Sequence, residues 1–244
     1  MGWGIERIGR GLTTAKHHGK VGDGMPRRVK KLLTDLGKKV HRKGCVSLLP
    51  LLEYSPNARL LDVGCGDGLF TKQLAERIGT KDITGIDIDD WNVPFGFVRG
   101  YIEEGLPFED GFFDVVVASH IIEHLSNTDF FTRELYRVLR KGGYVVIATP
   151  NLSSAGVIVL LLLNRQPPSL DVSDHFRIWG DLSWKGDREH PLHRRLFTME
   201  GLAGLLTFYG FKVDYKVWAG YGFYLLDKLL GGHAATLIIK ARKV

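Results

Sequence analysis

The sequence predicts an α/β fold in which helices cover both faces of a mostly parallel β-sheet. Short runs rich in Val and Ile alternate along the chain with segments whose apolar residues recur every three or four positions. Such repetition requires right-handed crossovers, which leave successive strands parallel. The chain has 244 residues, of which 44% are hydrophobic and 25% charged, so it can bury a substantial core.

The first four predicted strands are short, mainly apolar runs rich in Val and Ile at residues 60–63, 83–88, 115–118 and 144–148. Runs of this kind are typical of strands buried on both faces. Later segments predict a helix at 199–209, a strand at 211–217, a helix at 224–230 and a last strand at 235–241.

Two helices are predicted between these strands. In the first, Phe70, Leu74 and Ile78 recur at four-residue intervals. The second has a cap signal at Asn127 or Thr128, and its basic C-terminal turn is predicted to run through residues 137–141 before two glycines.

The chain divides into a basic helical extension at residues 1–44 and a main domain at 45–244. Residues 1–43 hold twelve Lys or Arg residues against three acidic ones. This segment is compatible with contact to RNA, to an anionic membrane surface or to an acidic substrate, but the preferred interpretation is a solvated helix over a domain edge. Residues 152–195 lack clear strand alternation and predict an insertion or cap. It is called the acceptor cap after the role that the resemblance given below implies for it.

A glycine-rich turn follows the first predicted strand in LLDVGCGDGLF, residues 60–70. Gly64, Gly66 and Gly68 permit positive φ angles and let a ligand approach the backbone. The exposed N–H groups and the positive end of the following helix favour a carboxylate or phosphate.

The second strand ends at Asp87, ~20 residues beyond the glycines, where a carboxylate can accept hydrogen bonds from both ribose hydroxyls of an adenosine ligand. A nicotinamide cofactor is the nearest alternative. Its fingerprint is G-x-G-x-x-G, whereas G-C-G-D-G-L places the third glycine one residue early. The spacing therefore favours a smaller, phosphate-free adenosine ligand.

Four segments in order, the third of which holds two motifs, carry a family resemblance: DVGCGDG, TGIDID, GLPFEDGFFDVVVASHIIEHL and ELYRVLRKGGYVVIATPN. With these motifs the chain resembles the class I S-adenosylmethionine-dependent methyltransferases, in their small-molecule or lipid branch. The resemblance implies a three-layer Rossmann-like sandwich with a mostly parallel seven-stranded sheet and an antiparallel last strand, which ATLIIKAR suits. It also implies S-adenosyl-L-methionine as cofactor.

The resemblance further implies a cofactor-binding role for individual residues. The side chain of Asp62 would lie near the amino group of the cofactor, Asp87 would bind the ribose and Ile88 would flank the adenine. The remaining implied cofactor contacts are Gly64, Cys65, Gly66, Gly68, Ile102 and Ser119. Many relatives carry an Asp where this chain has Tyr101, so the backbone of Ile102, or less favourably Glu103, would take over contact with the adenine.

Two histidines follow the strand that ends at Ser119, at the sheet edge where ligands of α/β folds bind. A neutral imidazole is a suitable general base for a hydroxyl acceptor, and we prefer His120, with His124 as the second candidate. Alternatively, His124 packs a helix, and Glu123 orients a neighbour or is solvated. The histidines within residues 171–195 lack a compact ligand spacing, so we predict no metal site.

The predicted function is methyl transfer to a small or lipid-like acceptor, with oxygen as the favoured atom. RNA methylation, a catalytically silent cofactor- or RNA-binding module and a nicotinamide-dependent oxidoreductase are the alternatives. The longest apolar run, residues 155–163, is far short of the ~20 residues that span a bilayer, although peripheral membrane contact is compatible with it. Two cysteines and the absence of a signal-peptide pattern predict a cytoplasmic protein. The oligomeric state is left open.

Overall fold

A computed structural model describes residues 48–167, 169–172, 176–179, 182–185, 193–220 and 231–244. The predicted basic extension at 1–44 and the predicted helix at 224–230 lie outside these residues, as does part of the acceptor cap.

The described residues contain a seven-stranded sheet. Its strands are β1 (Arg59–Val63), β2 (Asp82–Asp87), β3 (Gly96–Arg99), β4 (Phe113–Ser119), β5 (Leu139–Pro150), β8 (Phe211–Ala219) and β9 (Thr236–Lys243). Their spatial order is β3-β2-β1-β4-β5-β9-β8. β9 runs antiparallel to both β5 and β8, whereas β1 to β5 pair in parallel. The predicted sheet with its antiparallel last strand is confirmed.

Four α-helices accompany this sheet in the described part of the chain: α1 (Leu69–Ile78), α2 (Thr128–Val138), α3 (Ala155–Leu162) and α4 (Met199–Phe208). Successive side chains of a strand point to opposite faces. Leu61 therefore packs with α2 and α4 on one face, while Leu60 packs with α1 on the other. The resulting layers, helix, sheet and helix, form the predicted sandwich.

The boundary between α2 and β5 differs from the prediction. Asn127 is the N-cap, since its side-chain oxygen accepts a hydrogen bond from the Phe130 N–H at 2.9 Å. The helix ends at Val138 with Arg137 in its last turn, as predicted, whereas Arg140 and Lys141, which were also predicted to close it, lie at the start of β5. Leu139 pairs with Phe113, and the Arg140 guanidinium forms an ion pair with Asp114. Pairing with β4 therefore overrides the local helical signal.

Three further strands were not predicted. β3 has only four residues, lies at the sheet edge and begins with a glycine, so its hydrophobic pattern is too short to identify. Within the acceptor cap, β6 (Phe176–Trp179) and β7 (Leu182–Lys185) form a two-stranded antiparallel ribbon, where the sequence showed no strand alternation.

Candidate active site

The predicted site residues meet at one edge of the sheet. Because β1, β2 and β4 are parallel, the glycine turn after β1, Asp87 at the end of β2 and Ser119 at the end of β4 all lie at their carboxyl ends. Strand order reverses direction between β1 and β4, and α/β sheets bind ligands at such a switch point.

The glycine turn has the predicted left-handed backbone. Gly64, Gly66 and Gly68 have φ angles of 77°, 50° and 71°. A Cβ atom built on Gly64 would lie 2.0 Å from Cδ1 of Ile121, whereas a Cβ on Gly66 would have no neighbour within 4 Å. The turn is thus packed against the protein at Gly64 and open at Gly66.

Asp87 is joined to this turn directly. Its Oδ2 atom accepts a hydrogen bond from the Gly66 N–H at 2.9 Å, and Oδ1 accepts one from the Asp89 N–H at 3.1 Å. Each carboxylate oxygen can accept a second hydrogen bond. Asp87 can therefore hold the turn in place and still accept bonds from a ligand.

Asp62 and Cys65 are buried beside the turn. Asp62 accepts a hydrogen bond from the Thr71 hydroxyl at 2.6 Å. Burial raises the pKa of Asp62 to about 6, with the charge of Asp87 adding to the shift, although the Thr71 hydrogen bond opposes it. Burial and the neighbouring carboxylates Asp62 and Asp87 raise the pKa of the Cys65 thiol to about 12. That thiol is neutral at physiological pH and is no nucleophile.

The other predicted cofactor contacts occupy different environments. Ile88, just beyond β2, is 54% exposed, whereas isoleucine side chains are usually buried. Ile102 begins a short 3₁₀ turn and packs against the core. The Glu103 carboxylate accepts the Ser126 N–H at 2.7 Å, so the alternative adenine contact is already engaged. Ser119 is half-buried.

His120 and Glu123 form a pair at the end of β4. His120 has a φ angle of 58°, a left-handed conformation that is uncommon outside glycine and that turns the chain sharply. Its Nδ1 atom lies 3.1 Å from Oε1 of Glu123, whose Oε2 accepts the Thr149 hydroxyl at 2.9 Å. Thr149 belongs to β5, so the fold supplies a residue that sequence reasoning missed.

The Glu123 carboxyl is completely buried. Burial acts to raise the pKa of Glu123, but the hydrogen bond with His120 and the charges of His120 and His124 together hold that pKa below its usual value. Glu123 is therefore buried rather than solvated, and its hydrogen bond with His120 is the contact that an orienting group would make.

His124 lies against a second histidine and close to Glu123. Its ring centroid lies 4.7 Å from that of His193, and its Nε2 atom lies 4.0 Å from Oε1 of Glu123. Burial, together with the charge of His124, lowers the pKa of His193. The sequence contained both histidines, but no local signal could predict that they meet.

The segment after His193 is hydrogen-bonded to the backbone of Glu123. The Arg194 and Arg195 N–H groups donate to the Glu123 carbonyl at 2.8 and 3.2 Å. The Arg195 guanidinium donates to the Ser126 carbonyl at 2.6 Å. The acceptor cap is thereby attached to the loop that carries His120 and Glu123.

Helix α3 at the start of the acceptor cap exposes apolar side chains. Val157 is buried, whereas Val159, Leu161, Leu162 and Leu163 are exposed. Within the same run, Ile158 and Leu160 are half-buried. Within the described part of the chain, no helix is long and apolar enough to cross a membrane.

Comparison with known proteins agrees with this geometry. Residues 61–147 match the family model described as a methyltransferase domain. The chain is 31% identical over 163 residues to the mitochondrial ubiquinone biosynthesis O-methyltransferase of Rattus norvegicus, which covers 61% of this chain and 46% of the relative. It is 29% identical over 133 residues to the malonyl-[acyl-carrier protein] O-methyltransferase of Legionella pneumophila, and the match covers 50% of this chain and 44% of the relative. The chain thus spans less than half the length of these curated relatives.

Solved structures share the fold at low sequence identity. A putative S-adenosylmethionine-dependent methyltransferase from Listeria monocytogenes superimposes with a TM-score of 0.60 at 17% identity, covering 84% of this chain and 98% of that one. The 1,6-didemethyltoxoflavin-N1-methyltransferase of Burkholderia thailandensis was solved with S-adenosylhomocysteine. It superimposes with a TM-score of 0.55 at 18% identity, covering 89% of this chain and 83% of that one.

The sheet order, the open glycine turn and Asp87 at the switch point define an α/β domain of the kind that binds nucleotides and nucleosides at this edge. Residues 61–147 of this domain match a methyltransferase-domain model, and the domain shares its fold with solved S-adenosylmethionine-dependent methyltransferases.

The glycine turn allows a paired test of packing. Gly66→Ala places a methyl group in open space, so we expect a loss of about 1 kcal/mol in the free energy of unfolding, from backbone strain alone. Gly64→Ala adds displacement of Ile121, and we expect a loss of about 2 to 3 kcal/mol. Urea denaturation measures both. Equal losses would contradict the packing described for Gly64.

Asp62 allows a test of its burial. Its pKa in the folded protein, about 6, exceeds its ordinary value of 3.8, so the native state binds more protons between these values and loses stability as pH rises through them. Asp62→Asn should remove that loss and raise the free energy of unfolding at pH 7 by up to about 3 kcal/mol.

The check is urea denaturation of wild type and variant at several pH values from 3.5 to 7 in steps of about half a unit. Asp82→Asn, a change at an exposed carboxylate, serves as the control. A constant difference between wild type and Asp62→Asn across this range would refute the raised pKa.

Proposed function

We propose that this protein transfers a methyl group from S-adenosyl-L-methionine to a hydroxyl oxygen of a small or lipid-like acceptor. The observation that carries the proposal is the glycine turn, open at Gly66 and hydrogen-bonded to Asp87 at the switch point of the sheet.

The described residues fit the cofactor. The backbone around Gly66 has room for the carboxylate of the methionine part, and Asp87 has acceptor capacity for ribose hydroxyls. Ile88 offers an exposed apolar surface for the adenine, and Ile102 offers its backbone nearby. Asp62, Cys65 and Ser119 would shape the site from behind, since all three are buried or half-buried.

The cofactor would supply an activated methyl group, so the protein must chiefly position and deprotonate the acceptor. The hydrogen bond of His120 to the Glu123 carboxylate requires a proton on Nδ1, which leaves the lone pair of the ring on Nε2. Nε2 would accept the hydroxyl proton of the acceptor. Glu123, held by Thr149, would keep the ring oriented and stabilise its protonated form.

Two observations support the acceptor class. The relatives from Rattus norvegicus and Legionella pneumophila are both named O-methyltransferases. The exposed apolar side chains of α3 suit a lipid-like molecule or a peripheral contact with a membrane. A cytoplasmic location remains a prediction from the sequence.

Calorimetric titration of the full-length protein with S-adenosylmethionine and, in parallel, with NADH tests the cofactor. We expect micromolar binding of the first and none of the second. Labelled methyl groups from the bound cofactor should then appear in small-molecule or lipid fractions of an extract. Label in RNA would favour the alternative of RNA methylation, and cofactor binding without any transfer would favour a silent module.

Asp87→Ala should weaken S-adenosylmethionine binding because it removes the acceptors for ribose hydroxyls. We expect a loss of about 1 to 3 kcal/mol, or roughly 5- to 150-fold in Kd by calorimetry. Asp90→Ala changes an exposed carboxylate nearby and should leave Kd unchanged. An unaltered Kd in a folded Asp87→Ala variant would exclude Asp87 from the site.

His120→Asn should lower turnover while preserving cofactor binding. Asparagine tolerates the left-handed backbone of this position, so the fold should survive. We expect kcat to fall by about 10²- to 10⁴-fold, the usual contribution of a general base. His233→Asn, at an exposed position, is the control. Undiminished turnover in His120→Asn would assign the proton transfer to another group.

A further inference from the structure

Glu123, His124 and His193 form a compact cluster at the junction of the β4 loop and the acceptor cap. One ligand-type atom from each of the three residues lies within 4.8 Å of the other two. We propose that this cluster binds a divalent transition-metal ion, with Zn²⁺ as the best match. The sequence predicted no metal site because the two histidines are far apart along the chain and lack a compact spacing.

The donor set favours a borderline metal ion. Two imidazoles and a carboxylate are ligands typical of Zn²⁺ and its first-row neighbours, whereas Mg²⁺ and Ca²⁺ prefer sites made of oxygen atoms. Catalytic zinc sites commonly use three protein ligands and leave the fourth position for water or substrate. Three ligands therefore suffice here.

The spacing suits an ion after a small adjustment. Nitrogen and oxygen ligands lie ~2.1 Å from Zn²⁺, so two such ligands are roughly 3.4 Å apart in a tetrahedral site. Nε2 of His124 and Oε1 of Glu123 are 4.0 Å apart, which is too long for a hydrogen bond. Small rotations of the imidazole rings would close the cluster around an ion.

His193 is oriented as a metal ligand is. Its Nδ1 atom lies 3.1 Å from the Ser169 carbonyl oxygen, which can only accept, so Nδ1 carries the proton and Nε2 the lone pair. Its backbone N–H donates to the Asp171 carboxylate at 2.9 Å, and its carbonyl accepts the Asp171 N–H at 3.0 Å. A backbone partner on the second nitrogen is the usual outer contact of a metal-binding histidine.

Hydrogen bonds also hold the Glu123 carboxylate in position to bind an ion. Its carboxylate is bonded to His120 and Thr149, and each oxygen has a further lone pair for an ion. Its carbonyl holds the Arg194 and Arg195 N–H groups and so keeps the neighbouring His193 in position. A fully buried carboxylate among three imidazoles would also gain compensating charge from a cation.

A role for the ion in methyl transfer rests on the proposed function. A hydroxyl of the acceptor would occupy the open coordination position. The ion would lower the pKa of that hydroxyl, whose proton would pass to Nε2 of His120 while the electron pair stays on the acceptor oxygen. Binding of the ion itself does not depend on this role.

The full-length protein, stripped with a chelator, is titrated with Co²⁺ and followed by its visible absorption, and with Zn²⁺ by calorimetry. We expect one ion per chain, a Kd in the micromolar range or tighter, and an intense Co²⁺ absorption typical of four-coordinate sites. His193→Gln and His124→Gln should each weaken binding at least tenfold. His233→Gln, outside the cluster, should bind as the wild type does.

Absence of Co²⁺ absorption, or a Kd that neither cluster variant changes, would overturn the proposal. Urea denaturation in the presence of chelator shows whether each variant is folded. Titration of the same stripped protein with S-adenosylmethionine separates the two proposals. If the cofactor binds and the ions do not, the metal site fails alone; if the ions bind and the cofactor does not, the proposed function fails.

Discussion

The buried carboxylate of Glu123 is the constraint on which the candidate site depends. A carboxylate removed from water costs several kcal/mol unless polar groups replace its hydration. His120 and Thr149 supply those groups from the β4 loop and from β5. The Glu123 carbonyl also holds the backbone that follows His193. One residue thereby brings three separate segments of the chain together.

The cofactor side and the acceptor side of the site are coupled through Gly64. Ile121, next to His120 in the β4 loop, occupies the space that a side chain at Gly64 would need. The missing Cβ therefore lets the β4 loop lie against the glycine turn. Asp87 holds the same turn from β2. The two loops that would carry the methyl group and its base are consequently packed directly on each other.

Asp62 and Glu123 show how partners decide the effect of burial. Both carboxyls are buried, and burial acts to raise both pKa values. Asp62 has a hydroxyl partner and the negative charge of Asp87 nearby, so its pKa rises to about 6. Glu123 has two histidines nearby, so its pKa falls. The charged carboxylate is thus favoured beside the proposed base and disfavoured beneath the glycine turn.

The sequence by itself determined the features that arise from short-range patterns. Apolar runs and helical periodicity predicted most strands of the sheet, and glycine spacing predicted the turn that Asp87 holds. The tertiary structure decided the rest. Pairing with β4 converted the predicted end of α2 into the start of β5. Packing of the acceptor cap brought His193 to Glu123 and His124. These contacts join residues far apart in the chain, and their energy appears only when the strands and loops are in place.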